Sequence, residues 1–592
     1  MMKRFIASML GSLAAIWISV ILLSALFLLF IGAIFSESFL KRVAQVNLQG
    51  NSILHIELNG KIEERQDGSP ILGKLIGITD ESQGLNDIVA AISHAETDSR
   101  IKGIYLDCKD IKAGLASLDY IRESLLKFKS SGKWIIAYGD NLSQGDYFVA
   151  SIADMVSLNP VGLLDIHGLS ATTLYFKGLL DKLGIEMQVI KVGTYKSAVE
   201  PFILSAPSEP SRRQQQQFLD TMWDDISAKI ASARKMSAAD ISSIADSLIL
   251  THAPETYVSA RLIDTLMYRH SVEELLKTKT GIKKTDDLHL ITPAEYCMAV
   301  EPTKTDHSPN QIAVLYACGD IVDDGEGGIV ASQIVPQIYS IIGDYEIDGL
   351  VLRVNSGGGS AFASEQIWEA LEQFKATGRP FYVSMGDYAA SGGYYISCGA
   401  DLIYADALTL TGSIGIFGLI PCAKDLMNDH LGITTATVAT NTAGQLPEIS
   451  APLTQFQKAR LQQTVDRGYE TFVSRCAAGR NMSVDSIKVI AEGRVWDAIT
   501  AQQIGLVDKI GSLKDAVSAM AAHLNFRTNE YTIVDYTNNS FDKFRLFSIL
   551  KSRLSSGILN SELGDNLWIY ESMQSLQRLS PIQSRMEDIL IY

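Results

Sequence analysis

The segment Gly386–Tyr395, GDYAASGGYY, surrounds a single hydroxyl, that of Ser391, with alanines and glycines. So little bulk lets a backbone come close, which a reacting carbonyl requires and which tight helix–sheet packing also produces. A serine attacks an acyl carbon only when a neighbouring base takes its proton. No histidine lies between His307 and His430, and both His430 and His523 stand in ordinary helical contexts. A lysine can serve instead where burial penalises its charged form. Lys196, in VGTYKSAVEPF (Val192–Phe202), has suitably apolar neighbours; the alternative is a surface lysine whose stem covers Tyr195 and Val199.

Acyl chemistry also needs amides aimed at the developing oxyanion. RVNSGGGSAFASE (Arg353–Glu365) passes from an apolar strand through three glycines into a helical pattern, and the amide of Gly392, just after Ser391, supplies a second donor. The glycine run does not read as a nucleotide loop, because no lysine completes a P-loop and Phe362 occupies the last glycine of G-x-G-x-x-G. The S-x-x-K spacings Ser124/Lys127, Ser130/Lys133 and Ser548/Lys551 lie in or beside amphipathic helices and carry little information. AASGG also lacks the first glycine of a G-x-S-x-G elbow.

The elements that must position these groups occur twice. NSILHIELNGKI (Asn51–Ile62) answers NQIAVLYACGDI (Asn310–Ile321), and IKGIYLDC (Ile101–Cys108) answers IDGLVLRV (Ile347–Val354). SSGKWIIAYGDNLSQGDYFVAS (Ser130–Ser151) answers ATGRPFYVSMGDYAASGGYYIS (Ala376–Ser397), and ARLIDTL (Ala260–Leu266) answers IGLVDKI (Ile504–Ile510). Each copy alternates short β-branched or aromatic runs with helical spacing, which predicts parallel strands with helical crossovers, an α/β fold. The copies are complementary: Gln144 stands where the second has Ser391, and the second has no lysine in register with Lys196.

The chain has 592 residues and a net charge of −16, with no long Lys/Arg run, which argues against nucleic acid as a partner. None of the six cysteines forms a C-x-x-C pair, so they read as buried free thiols, with no metal and no cofactor expected. Phe5–Phe35 contains no charged residue and exceeds the ~20 apolar residues needed to cross a bilayer. Its exit, IFSESFLKR, is unlike a cleavage site, so an uncleaved anchor is expected, with a short cytoplasmic tail and an exported body. The expected organisation is an anchor over 1–47, a first repeat over 48–304 supplying the lysine, a second over 305–525 supplying the serine, and a tail over 526–592. The hinge is placed at Glu301–Asn310, and surface helices or an oligomer contact are expected in the tail.

VGTYKSAVEPF, RVNSGGGS, MGDYAASGGYYIS, LTGSIGIFG and GRVWDAITAQQIGLVDKIG together resemble the long, tandem-domain form of the signal peptide peptidase A family, also called protease IV. The resemblance extends from the anchor to about Leu524. It implies a ClpP/crotonase-type α/β fold with Ser391 as nucleophile, Lys196 as general base and Ser413, in LTGSIG, orienting the lysine. The oxyanion donors would be the amides of Gly359 and Gly392, with Gly358 adjacent. The family is membrane-anchored and tetrameric, faces the periplasm from the bacterial inner membrane, and degrades remnant signal peptides. It usually reads N-S-P-G-G where this chain has Gly357 for the proline, which predicts a looser oxyanion turn. Two other classes remain: a crotonase-type acyl-CoA enzyme, which needs no serine–lysine pair, and a catalytically idle membrane scaffold, which would not need to keep Lys196, Ser391 and Ser413.

Overall fold

Strands buried on both faces are near-continuous apolar runs, and the central strands of this chain follow that rule. In the computed structural model, which describes residues 48–65, 82–300, 309–325, 327–441, 443–527, 530–536, 582–586 and 590–591, Ile101–Lys112 and Ile347–Ser356 each lie inside a parallel sheet. Leu106, Ile104, Leu350 and Leu352 are among the side chains fully removed from solvent there.

The two repeats build the same sheet. In the first, Ser52–Glu63, Ile101–Lys112, Trp134–Gly139, Met155–Leu158 and Thr265–Leu266 lie side by side in that order, all parallel. In the second, Gln311–Cys318, Ile347–Ser356, Phe381–Ala390, Leu402–Ala405 and Lys509–Ile510 repeat the order. Helices Leu115–Lys129 and Ala361–Ala376 make the equivalent crossovers between the second and third strands of each sheet. The fold is therefore mixed α/β with parallel sheets, as the periodicity predicts.

A third sheet joins the copies. Its order is Ile329–Val330, Ile321–Val322, Gly358–Ser360, Ile582–Arg585, Phe417–Cys422 and Glu186–Lys191. Glu186–Lys191, from the first copy, runs antiparallel to Phe417–Cys422 of the second, with Lys191 opposite Phe417. A buried ion pair also crosses between the copies: Arg353 Nη2 and Nε each lie 2.9 Å from a carboxylate oxygen of Glu64. Asp387 accepts from the amide and hydroxyl of Ser117 at 2.9 and 2.8 Å.

All six cysteines are free, and five are buried, in keeping with structural thiols. Burial pushes the Cys108 and Cys476 thiols well above their usual range. Among the described residues no helix is long and apolar enough to cross a membrane. The expected anchor over Phe5–Phe35, most of the hinge at Glu301–Asn310 and the expected helices of the tail lie outside the described residues.

Candidate active site

The strand Phe381–Ala390 ends in a sharp turn. Ser391 sits there with φ 55° and ψ −111°, and the short helix Gly392–Ser397 follows at once. A non-glycine residue at positive φ costs about 1–3 kcal/mol and persists only where its surroundings impose it. Two contacts do so: the Ser391 amide donates to Gly412 O at 2.7 Å, and Ala389 pairs with Thr411 of the neighbouring strand. The flanking glycines have a steric cause. A Cβ on Gly393 would lie 2.6 Å from Ser356 O, and one on Gly392 would lie 3.1 Å from Gly358 Cα. The residue in register in the first copy, Gln144, instead binds backbone: its side chain accepts from His167 and Gly168 and donates to Gly168 O.

Lys196 reaches this turn because its segment is built into the second copy. After the strand Glu186–Lys191, the Val192 amide donates to Ile416 O at 3.2 Å and the Tyr195 amide to Glu492 O at 3.0 Å. Gln214 closes the other side, accepting from the Val495 amide at 3.1 Å and donating to Ser197 Oγ at 3.2 Å. Lys196 Nζ then lies 2.7 Å from Ser391 Oγ, 3.0 Å from Ser413 Oγ and 3.1 Å from Ser413 O. Lys196 is 1% exposed and Ser391 0%, so the surface-lysine alternative is not what the fold contains. Ser413 is held at φ 51°; its amide donates to Arg494 O at 2.6 Å and its hydroxyl to Gly493 O at 3.3 Å. The structure thus gathers all three polar side chains expected from the sequence into one buried cluster.

The glycine run differs from the simple turn expected of it. Gly358–Ser360 is a short strand paired with Ile321 and with Gln583–Arg585, and it holds φ values of 105° at Gly358 and 155° at Gly359. Gly359 is opposite Ile321, and a Cβ there would lie 2.0 Å from Ile321 O. Gly358 packs on the turn at Ser391: its Cβ would meet Gly392 N at 2.7 Å, while its own amide donates to Ser356 Oγ at 3.1 Å. Gly357, where the sequence departs from the resembled family's proline, has open space around its Cβ position.

Comparison with known proteins bears on the chemistry such a cluster performs. The family model for peptidase family S49 matches the chain twice, over residues 127–283 and 373–527. The chain belongs to peptidase family S49. Within S49 it is similar over 518 residues to Protease 4 of Haemophilus influenzae, at 35% identity, covering 85% of this chain and 83% of the relative. Protease 4 of Salmonella typhi is 35% identical over 511 residues, 82% of each chain. A putative signal peptide peptidase SppA of Enterococcus faecium is 32% identical over 242 residues, covering 39% of this chain and 69% of its own. The two family matches fall on the two structural repeats, so the chain is a tandem S49 serine protease, as its resemblance to signal peptide peptidase A implies.

One polar group at the site has no counterpart in the sequence reading. Ser584, from the C-terminal end, places its Oγ 2.8 Å from Ser391 Oγ. Nothing in PIQSRMED marks it as a site residue, because its role depends on which strands flank it.

Proposed function

We propose that this S49 protein is a membrane-anchored endopeptidase with a Ser–Lys dyad, acting through an acyl-enzyme. The observation that carries the proposal is the 2.7 Å approach of Lys196 Nζ to Ser391 Oγ inside a buried cluster. Removed from water, the amine is disfavoured as an ammonium and is therefore available as a proton acceptor. It takes the proton of Ser391 as Oγ bonds to the peptide carbonyl carbon. The amides of Gly359 and Gly392 hold the resulting oxyanion. Collapse breaks the C–N bond, and Lys196 returns the proton to the leaving amine. Lys196 then takes a proton from water, whose oxygen bonds to the ester carbon; the C–Oγ bond breaks, the acid leaves, and Lys196 returns the proton to Ser391 Oγ. Ser413 orients the amine from 3.0 Å.

The substrate class proposed is apolar, extended peptides, signal peptides among them. An extended peptide suits pairing between the strands Gly358–Ser360 and Phe417–Cys422, and the similarity to a putative signal peptide peptidase of Enterococcus faecium supports signal peptides as substrates. Anchoring by Phe5–Phe35 in a bacterial inner membrane, with the body in the periplasm, would bring the enzyme to such peptides as they are left behind. The same reading includes a ClpP/crotonase-type fold, repeats over 48–304 and 305–525, and a homotetramer. The acyl-CoA and scaffold alternatives find no support in a cluster that joins Ser391, Lys196 and Ser413.

The test is turnover of an apolar peptide by correctly folded Ser391→Ala, expected at least about 10³-fold below wild type. Undiminished turnover would refute the proposal.

A further inference from the structure

The sheet beside Ser391 is completed by the chain's own C-terminal segment. Ile582–Arg585 lies between Gly358–Ser360 and Phe417–Cys422 and is antiparallel to both. On one side Gly358, Gly359 and Ser360 face Arg585, Ser584 and Gln583; on the other Phe417 and Gly418 face Gln583 and Ile582. The Met586 amide donates to Gly357 O at 2.8 Å, and Arg585 Nη1 lies 3.2 Å from an Asp320 carboxylate oxygen at the rim. Gln583 and Ser584 are buried.

This is how an extended peptide adds to a sheet, with backbone pairing supplying affinity and alternate side chains entering pockets. Two strands that face each other across a strand-wide slot leave amides and carbonyls that something must satisfy. The segment also touches the reacting oxygen, hydroxyl to hydroxyl: Ser584 Oγ lies 2.8 Å from Ser391 Oγ, on which Lys196 Nζ converges at 2.7 Å.

We propose that Ile582–Met586 is a tethered occupant of the peptide cleft, which substrate must displace before Ser391 can act. The proposal rests on the reading of Ser391 as nucleophile for its effect on turnover, but not for its effect on binding. A tethered segment experiences an effective concentration on the order of millimolar. If the free segment binds at about 0.1 mM, roughly nine-tenths of clefts are filled, and the apparent KM rises about tenfold.

The test uses the full chain carrying Ser391→Ala, so that the probe is not consumed, and a fluorescein-labelled peptide of residues 579–592. Ser584→Pro removes a backbone N–H from the ladder as well as the hydroxyl. Arg585→Glu opposes Asp320 at the rim without touching the core. The peptide should bind both variants more tightly than the unaltered tail, about tenfold for Ser584→Pro. Equal affinity in all chains, or no binding at millimolar peptide, overturns the proposal whatever Ser391 does. With Ser391 intact, Ser584→Pro should lower KM for an apolar peptide about tenfold at constant kcat, and an unchanged KM overturns it. Loss of residues beyond Ser584 from the wild-type chain, but not from Ser391→Ala, would also overturn it, because the segment would then be substrate rather than occupant.

Discussion

Gly493 lies directly against the backbone of Lys196: a Cβ added there would stand 2.7 Å from Lys196 Cα and 2.6 Å from its Cβ. Gly493 also has φ 78°, so an alanine is strained twice over. Lys196, the proposed base, comes from one repeat and is packed against a glycine of the other. Gly493→Ala should push the amine away from Ser391 and lower kcat/KM on an apolar peptide by about 10²-fold, the scale expected for a misplacement near 1 Å. Steady-state kinetics beside a thermal melt separates this from unfolding.

Ser413→Ala removes the hydroxyl 3.0 Å from Lys196 Nζ but leaves the Ser413 carbonyl, 3.1 Å away, in place. Loss of one hydrogen bond to a buried group costs about 1–3 kcal/mol, which converts to roughly 5- to 150-fold in rate. The variant should lie between wild type and Ser391→Ala in kcat/KM.

In the proposed dyad Ser391 hands its proton to an uncharged amine. Lowering the pH fills the lone pair of Lys196, so kcat/KM should fall toward acid with a slope of about one decade per pH unit. Residual activity of Lys196→Met should lack that acid limb.

The Glu64–Arg353 pair spans the two repeats in a dry environment, and Arg353 also donates to Ser384 Oγ and Met385 O. Burial opposes the Arg353 charge, but Glu64 more than offsets it and holds the guanidinium protonated. Removing one partner of such a pair costs about 3–5 kcal/mol, whereas replacing both with apolar groups is often near neutral. Glu64→Leu should lower the thermal midpoint sharply, and adding Arg353→Met should recover much of the loss.

Much of this was legible in the residues because a duplication carries its own control. Strand order could be read from paired runs such as Ile101–Cys108 and Ile347–Val354, and the structure repeats that order. Ser391 stood out by what its counterpart Gln144 lacks, and Lys196 by its apolar neighbours. Other features were not legible, because long-range packing decides them. GGGS carries no pattern that distinguishes a turn from the strand Gly358–Ser360, which forms only against Ile321 and the C-terminal segment. Gly493 and Glu64 matter through partners on the other repeat, to which local spacing is blind.

The most direct measurement is the rate at which a fluorophosphonate acylates the enzyme, with the labelled residue located by peptide mass. Label should appear on Ser391 in wild type, and Lys196→Met should react at least about 10²-fold more slowly. Equal rates in the two proteins, or label on a different serine, would contradict the dyad.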